Sequence, residues 1–427
     1  MAGEADAELS VTAASGAAPA IRPPPGRPAG PGFLAGYVVA QVGAFLSFLP
    51  LLQILLPLKA EQVAGGGRVQ LLGLVAALGA LAGGAANLVA GHFSDRTGSR
   101  FGRRRPWLLA GCLATMLSYG LIWQAHGPLA LAGSVVLFQV AFNVMFAPLV
   151  ALTPDRVPTA DRGWVAGLLA LGHPLGLIVG GLVIGSLITD EAQRYAVLAL
   201  MVGLAVIPFA LVLRDPQAPP TEPGRAQGDG APSPHRRNFW LGWIARALAV
   251  AALSIAQTYL LFFLQDALHY AGRGLGRPEQ GVARLGVVFG ALNVLAALAA
   301  GRISDRIRRR RALVIGGALA MAAGLAGVML ATSWPAMLAA YAVFGLGAGC
   351  HTAVDFALMT ELLPSRDRPA RDLAILNLSN IAPQVLAPVL GGLLIGLPGA
   401  DIRWLFAAGA VCAGLAAAIV GLMRGVR

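Results

Sequence analysis

The stretch "LLGLVAALGALAGGAANLVAG", residues 71–91, carries no charge and shows no alternation of apolar and polar positions. As a helix rising 1.5 Å per residue, about 20 residues of this kind reach across the ~30 Å hydrocarbon layer of a bilayer. Comparable runs recur at 33–58, 71–92, 106–124, 128–152, 164–188 and 195–213, and again at 239–264, 281–301, 312–331, 335–360, 373–395 and 402–423. Between the two sets lies "RDPQAPPTEPGRAQGDGAPSPHRR", a polar stretch rich in Pro and Gly with the composition of a linker. A lipid-exposed barrel needs alternating residues, and these runs have none. Each segment must therefore satisfy its own backbone groups as a helix. The expected fold is an all-α membrane protein, with twelve transmembrane helices in two pseudo-symmetric six-helix bundles. The expected divisions are a disordered cytoplasmic tail (1–32), a first bundle (33–213), a cytoplasmic linker (214–238) and a second bundle (239–427).

The chain is 57% hydrophobic and 12% charged, with a net charge of +12. Such a basic balance can serve nucleic acid, but here the charge sits in the connections between apolar runs, not along one face. With the amino terminus placed inside, 24 of the 32 Lys and Arg fall on the inner side and seven on the outer; Arg246 lies within a span. That bias is the positive-inside pattern, so both termini are expected to be cytoplasmic, in a plasma (inner) membrane. The first 32 residues lack a basic segment followed by an apolar one, so no cleavable signal peptide is expected. Cys112, Cys350 and Cys412 lie inside apolar runs without metal-ligand spacing or a paired framework. No metal site, cofactor, nucleophile–base pair or nucleic-acid partner is expected, and the chain does not read as an enzyme.

The halves repeat. "GHFSDRTGSRFGRRRPWLLAGCLA" lines up with "GRISDRIRRRRALVIGGALA", pairing Asp95 with Asp305 and Arg96 with Arg306. "TPDRVPTADR" lines up with "MTELLPSRDR", pairing Asp155, Pro158, Asp161 and Arg162 with Glu361, Pro364, Asp367 and Arg368, each 206 residues on. Duplicated six-helix halves are a transporter architecture, with the substrate site between them near the midplane.

At these residues the chain resembles the major facilitator superfamily. The signature of its loop between the second and third helices appears as Gly91, Asp95, Arg96, Gly98 and Arg100. Within it, "SDRTGSRFGRRRPW" and "FNVMFAPLVALTPD" resemble the corresponding segments of sucrose transporters and the related glycoside–pentoside–hexuronide cation symporters. Those sucrose transporters carry an arginine needed for sugar transport where this chain has Val150. The resemblance implies a secondary transporter working by alternating access, with proton-coupled uptake of a sugar or glycoside as the leading reading. Proton-coupled efflux of small hydrophobic or cationic molecules, and a non-transporting sensor or assembly protein, are the alternatives. A small-molecule substrate, a proton or other cation and the lipid bilayer are the expected partners of a monomer.

Three groups of residues are candidates for the mechanism. The resemblance implies a cytoplasmic gate of ion pairs from Asp95, Arg96, Arg100, Arg104, Asp155 and Arg162 in the first half, and Asp305, Arg306, Glu361 and Arg368 in the second. Such pairs would latch the cytoplasmic side in the outward-open state; the bland alternative is that the arginines only set topology. Within the spans, Arg246 and Asp355 are charges that must face each other or water, because an unpaired charge in lipid is costly. His351 stands one turn before Asp355. The three could couple proton movement to rocking, or Arg246 and Asp355 could be a permanent structural pair. Among the neutral polar residues, Gln41, Gln139, Asn143 and Gln257 are the candidates for the substrate cavity. The alternative is plain hydrogen bonding between helices, worth about 0.6 kcal/mol on average.

Overall fold

The computed structural model describes residues 30–158, 161–213, 236–307, 309–362 and 369–423. Among these every regular element is helical. The first pass comprises α1 (Pro31–Pro50), a π-helical turn (Leu51–Leu55) and α2 (Leu56–Ala64), and α3 (Arg68–Arg96) returns. Helical turns run almost unbroken through Pro31–Arg96, 66 residues. That is about 99 Å of helix, three times the hydrocarbon thickness. Gly65, at φ 49° and ψ −111°, breaks it in two; a Cβ would disfavour that backbone. Then follow α4 (Arg105–Trp123), α5 (Pro128–Arg156), a fifth pass built from α6 (Arg162–Ala170), α7 (Gly172–Gly180) and a π turn (Gly181–Leu187), and α8 (Glu191–Val212). The second half comprises α9 (Arg236–Phe262) with a π turn (Phe263–Ala267), α10 (Pro278–Ile307), α11 (Arg310–Leu330), α12 (Trp334–Glu361), α13 (Pro369–Ile395) and α14 (Arg403–Gly421). Eleven described stretches are long and apolar enough to span, and the first holds two passes, which gives twelve.

Most boundaries fall within a few residues of the hydropathy reading. The first pass runs six residues further than expected, to Ala64. The sixth starts earlier, because the Asp190 side chain caps α8 by accepting from the Gln193 N–H at 2.8 Å. The seventh starts at Arg236, inside the expected linker. Most of that linker, 214–235, and the tail up to residue 29 lie outside the described residues.

The duplication is visible in the packing. In the first half α3 and α4 pack on α5, α4 on α8, and α1 on both α8 and α7. The second half repeats each contact: α10 and α11 on α12, α11 on α14, and α9 on both α14 and α13. Even the close crossings recur at the same interval. A Cβ on Gly111 would stand 2.4 Å from the Met145 nitrogen, and one on Gly317 2.7 Å from the His351 nitrogen. Only glycine lets these backbones approach so closely.

The two halves touch through α3 on α13, and through α7 and its π turn on α10. The contacts lie from mid-span towards the rim opposite the arginine-rich loop 97–104. A Cβ on Gly84, mid-span, would be 3.2 Å from Ile381; one on Gly73, further out, would be 2.4 Å from the Pro388 carbonyl oxygen, and one on Gly181 would be 3.1 Å from the Ala283 Cα.

Candidate functional site

At the arginine-rich rim the gate residues of the first half gather around Arg104, whose side chain is only 4% exposed. Its Nη1 donates to Ser94 Oγ at 2.6 Å, its Nε to Asp155 Oδ2 at 3.0 Å, and its Nη2 pairs with Asp95 at 2.5 Å and with Asp155 at 3.0 Å. Arg103 adds a second donor to Asp155 at 2.8 Å. These bonds tie the end of α3, the loop and the end of α5 together. They all lie within one half. The structure does not bring Arg96 and Arg100 into these ion pairs: Arg96 meets His92 Nε2 at 2.6 Å, and Arg100 lies over the Phe101 ring at 4.7 Å. In the second half Arg310, 206 residues after Arg104, donates to the Ala357 carbonyl at 3.4 Å, and Arg306 is exposed. Arg368 lies outside the described residues, as do the side chains of Arg162, Asp305 and Glu361.

Among the described residues, the ion pairs that cross between the halves sit at the opposite rim, where the sequence reading placed no site. Arg68 pairs with Glu61 beside it and with Asp266 of the second half, and it donates to Gln265 Oε1 at 3.2 Å. Gln265 returns a bond to Glu61 Oε2 at 2.9 Å. Arg194 pairs with Glu279 at 3.1 Å, with side chains only 5% and 11% exposed, and Arg277 donates to the Ser186 carbonyl at 3.2 Å. Opposite charges at the ends of spans on one rim were the available signal. Hydropathy counts them as loop residues and cannot say which face one another.

Inside the spans, Arg246 and Asp355 form an ion pair through Nη1 and Oδ2. The side chains are 15% and 5% exposed. Arg246 also donates through Nε to Asn380 Oδ1 at 3.2 Å, so α9, α12 and α13 converge here. Arg246 is about 15 Å and Asp355 about 9 Å from the arginine-rich ends of their helices. His351 does not join them. Its Nδ1 faces the Val314 carbonyl at 3.3 Å, and its buried Nε2 has no partner among the described residues. The reason is positional: 206 residues earlier stands Met145, wholly buried in the equivalent crossing, so His351 occupies a helix-packing position.

The neutral candidates divide. Asn143 accepts from Asn87 at 3.0 Å and donates to the Gln139 carbonyl at 2.8 Å; the Gln139 side chain lies against Gly79 and Gly83 of α3, and that of Asn143 against Gly83. They are interhelical contacts. Gln41 is buried against Gly172, and its Oε1 has no partner among the described residues. Gln257 is half-buried and stands eleven residues after Arg246, on the same face about three turns on. Around Phe45 the first half is aromatic: its ring meets Phe146 at 5.7 Å and His173 at 5.4 Å, edge-on to both, and Phe146 stacks on Phe142 at 5.2 Å.

A family model described as "MFS/sugar transport protein" matches residues 62–364, most of the chain. The chain belongs to this family. Among curated proteins, the multidrug resistance protein MdtL of Escherichia coli strain K12 / DH10B is 37% identical to this MFS chain over 113 residues. That alignment covers 26% of this chain and 28% of the relative's length. Among solved structures, a bacterial homolog of the human lysosomal transporter Spinster, in an inward-facing and occupied conformation, superposes with a TM-score of 0.72 at 13% identity. It covers 92% of this chain and 96% of the other. The nucleoside transporter NupG gives 0.71, also at 13% identity, over 91% and 100% of the two chains. At that identity the likeness is one of fold.

Proposed function

We propose that this MFS protein is a secondary active transporter that works by alternating access, taking up a sugar or glycoside together with protons. The observation that carries the reading is the Arg246–Asp355 pair, a charge pair held inside spans of one half only. Counting back 206 residues from each leads to Ala40 and Leu149, both wholly buried and apolar. A scaffold has little reason to keep charges in lipid that its other half lacks. Protonation of Asp355 would release Arg246, and a carboxylate that is charged in one state and neutral in the other links proton movement to rocking. With the arginine-rich rim cytoplasmic in a plasma (inner) membrane, the rim towards which the halves touch faces outward.

Gradient-driven uptake of labelled glycosides into proteoliposomes tests this. Asp355→Asn should abolish accumulation while leaving substrate exchange intact; accumulation that persists removes Asp355 as the proton carrier. The MdtL match supports a second reading, efflux of a small hydrophobic or cationic molecule. Raised tolerance to toxic cations on expression, without glycoside flux, would favour it.

A further inference from the structure

Two of the three nitrogens of Arg246 are committed, Nη1 to Asp355 and Nε to Asn380. The third, Nη2, makes no hydrogen bond among the described residues, and it is not among their sealed, unpartnered atoms. A guanidinium held by two nitrogens and open at the third is a fixed donor without an acceptor. Its height in the bundle can be read from the α3–α13 contact. Gly84 meets Ile381, next to Asn380, while Gly83 meets Asn143. Phe146, three residues after Asn143, therefore lies about 5 Å from this level. It is half-buried, yet about 180° around α5 from the exposed Leu137, so it faces away from the outward side of the bundle.

The halves differ in what they carry near this level. Where the first half has Phe45 and Phe146, the second, 206 residues on, has Ala251 and Thr352. Where the second has Arg246 and Asp355, the first has Ala40 and Leu149. The first half is thus aromatic here and the second offers a donor. We propose that Arg246 anchors the cargo through Nη2, and that the cargo is an uncharged amphipathic molecule with an aromatic ring at one end and hydroxyl or carbonyl oxygens at the other. This rests on the transporter reading and narrows its substrate class. A carboxylated cargo is disfavoured, because on Nη2 it would meet the Asp355 carboxylate on the same guanidinium, and like charges repel strongly where water is scarce. Asp355 and Asn380 act as positioning residues.

The test uses purified protein in nanodiscs for binding and proteoliposomes for flux. The probes are neutral 4-nitrophenyl glycosides (glucoside, galactoside, xyloside), the matching free sugars and 4-nitrophenyl glucuronide. At least one neutral aryl glycoside should bind tenfold or more tightly than both its free sugar and the glucuronide. Arg246→Lys should keep the melting temperature and lose at least tenfold in aryl-glycoside affinity. Phe146→Leu, which touches no ion pair, should erase the preference over free sugar and leave free-sugar binding unchanged. It carries the test alone if the lysine variant does not fold. Free sugars that bind as well as aryl glycosides, tighter glucuronide binding, or an indifferent Phe146→Leu overturn this inference, while gradient-driven flux of free sugar would keep the transporter reading. Absence of both binding and flux for every probe overturns the two together.

Discussion

Arg104 at the arginine-rich rim and Arg246 within the spans are both held by carboxylates, but their environments differ. Arg104 has all three nitrogens bonded to Ser94, Asp95 and Asp155. Arg246 is bonded at two nitrogens, and its third is open. A saturated guanidinium fixes the segments around it, here α3, the loop and α5. An unsaturated one, deep in a span, retains directional bonding for something that arrives later. Both have the same charge and little exposure, so what sets them apart is the number of bonded nitrogens.

Removing Arg104 is the most severe way to test this contrast. Arg104→Ala leaves Asp155 and Ser94 without their main donor and should cost about 3 kcal/mol, seen as a lower melting temperature and yield in detergent. An unchanged melting temperature would mean that the clasp holds nothing. Arg246→Ala should cost less stability than Arg104→Ala, because only one carboxylate loses its partner, but it should eliminate flux. If the two variants lose equal stability and equal flux, the distinction fails. At the opposite rim, cysteines at Gly181 and Ala283, in a background lacking Cys112, Cys350 and Cys412, should form a disulfide that blocks flux, with reductant restoring it. Continued flux with the bond formed would mean that the halves do not separate there. Glu61→Gln removes one partly exposed carboxylate from Arg68 and should change stability by under about 1 kcal/mol. The smallest effect should come from His351→Met, which puts into the second half the side chain that its counterpart already has. Flux and its pH profile should not move, and a shifted profile would return His351 to the coupling group.

Hydropathy alone located the spans, because a helix in lipid must be apolar over its whole length. The arginines of 96–105 revealed the repeat, because the same loop recurs around Asp305. Pairing Arg246 with Asp355 was also within reach, since each is a charge in an otherwise apolar run. His351 was misplaced because one helical turn fixes a shared face of α12 only roughly, and the ring turned to Val314. The gate residues were named without partners, and the structure supplies them for Arg104, Asp95 and Asp155 within one half: a loop can fold back on its own half as readily as reach across.

The amino-acid order by itself determined the number of passes, the two-fold repeat and which charges had to be buried, because lipid tolerates no unsatisfied backbone and few lone ions. Only the tertiary structure decided at which rim the halves touch, that Arg194 meets Glu279, and that Arg246 bonds Asp355 and Asn380 through two of its nitrogens. These depend on which helix faces are turned towards one another, and a helix presents every side of itself to the sequence alike.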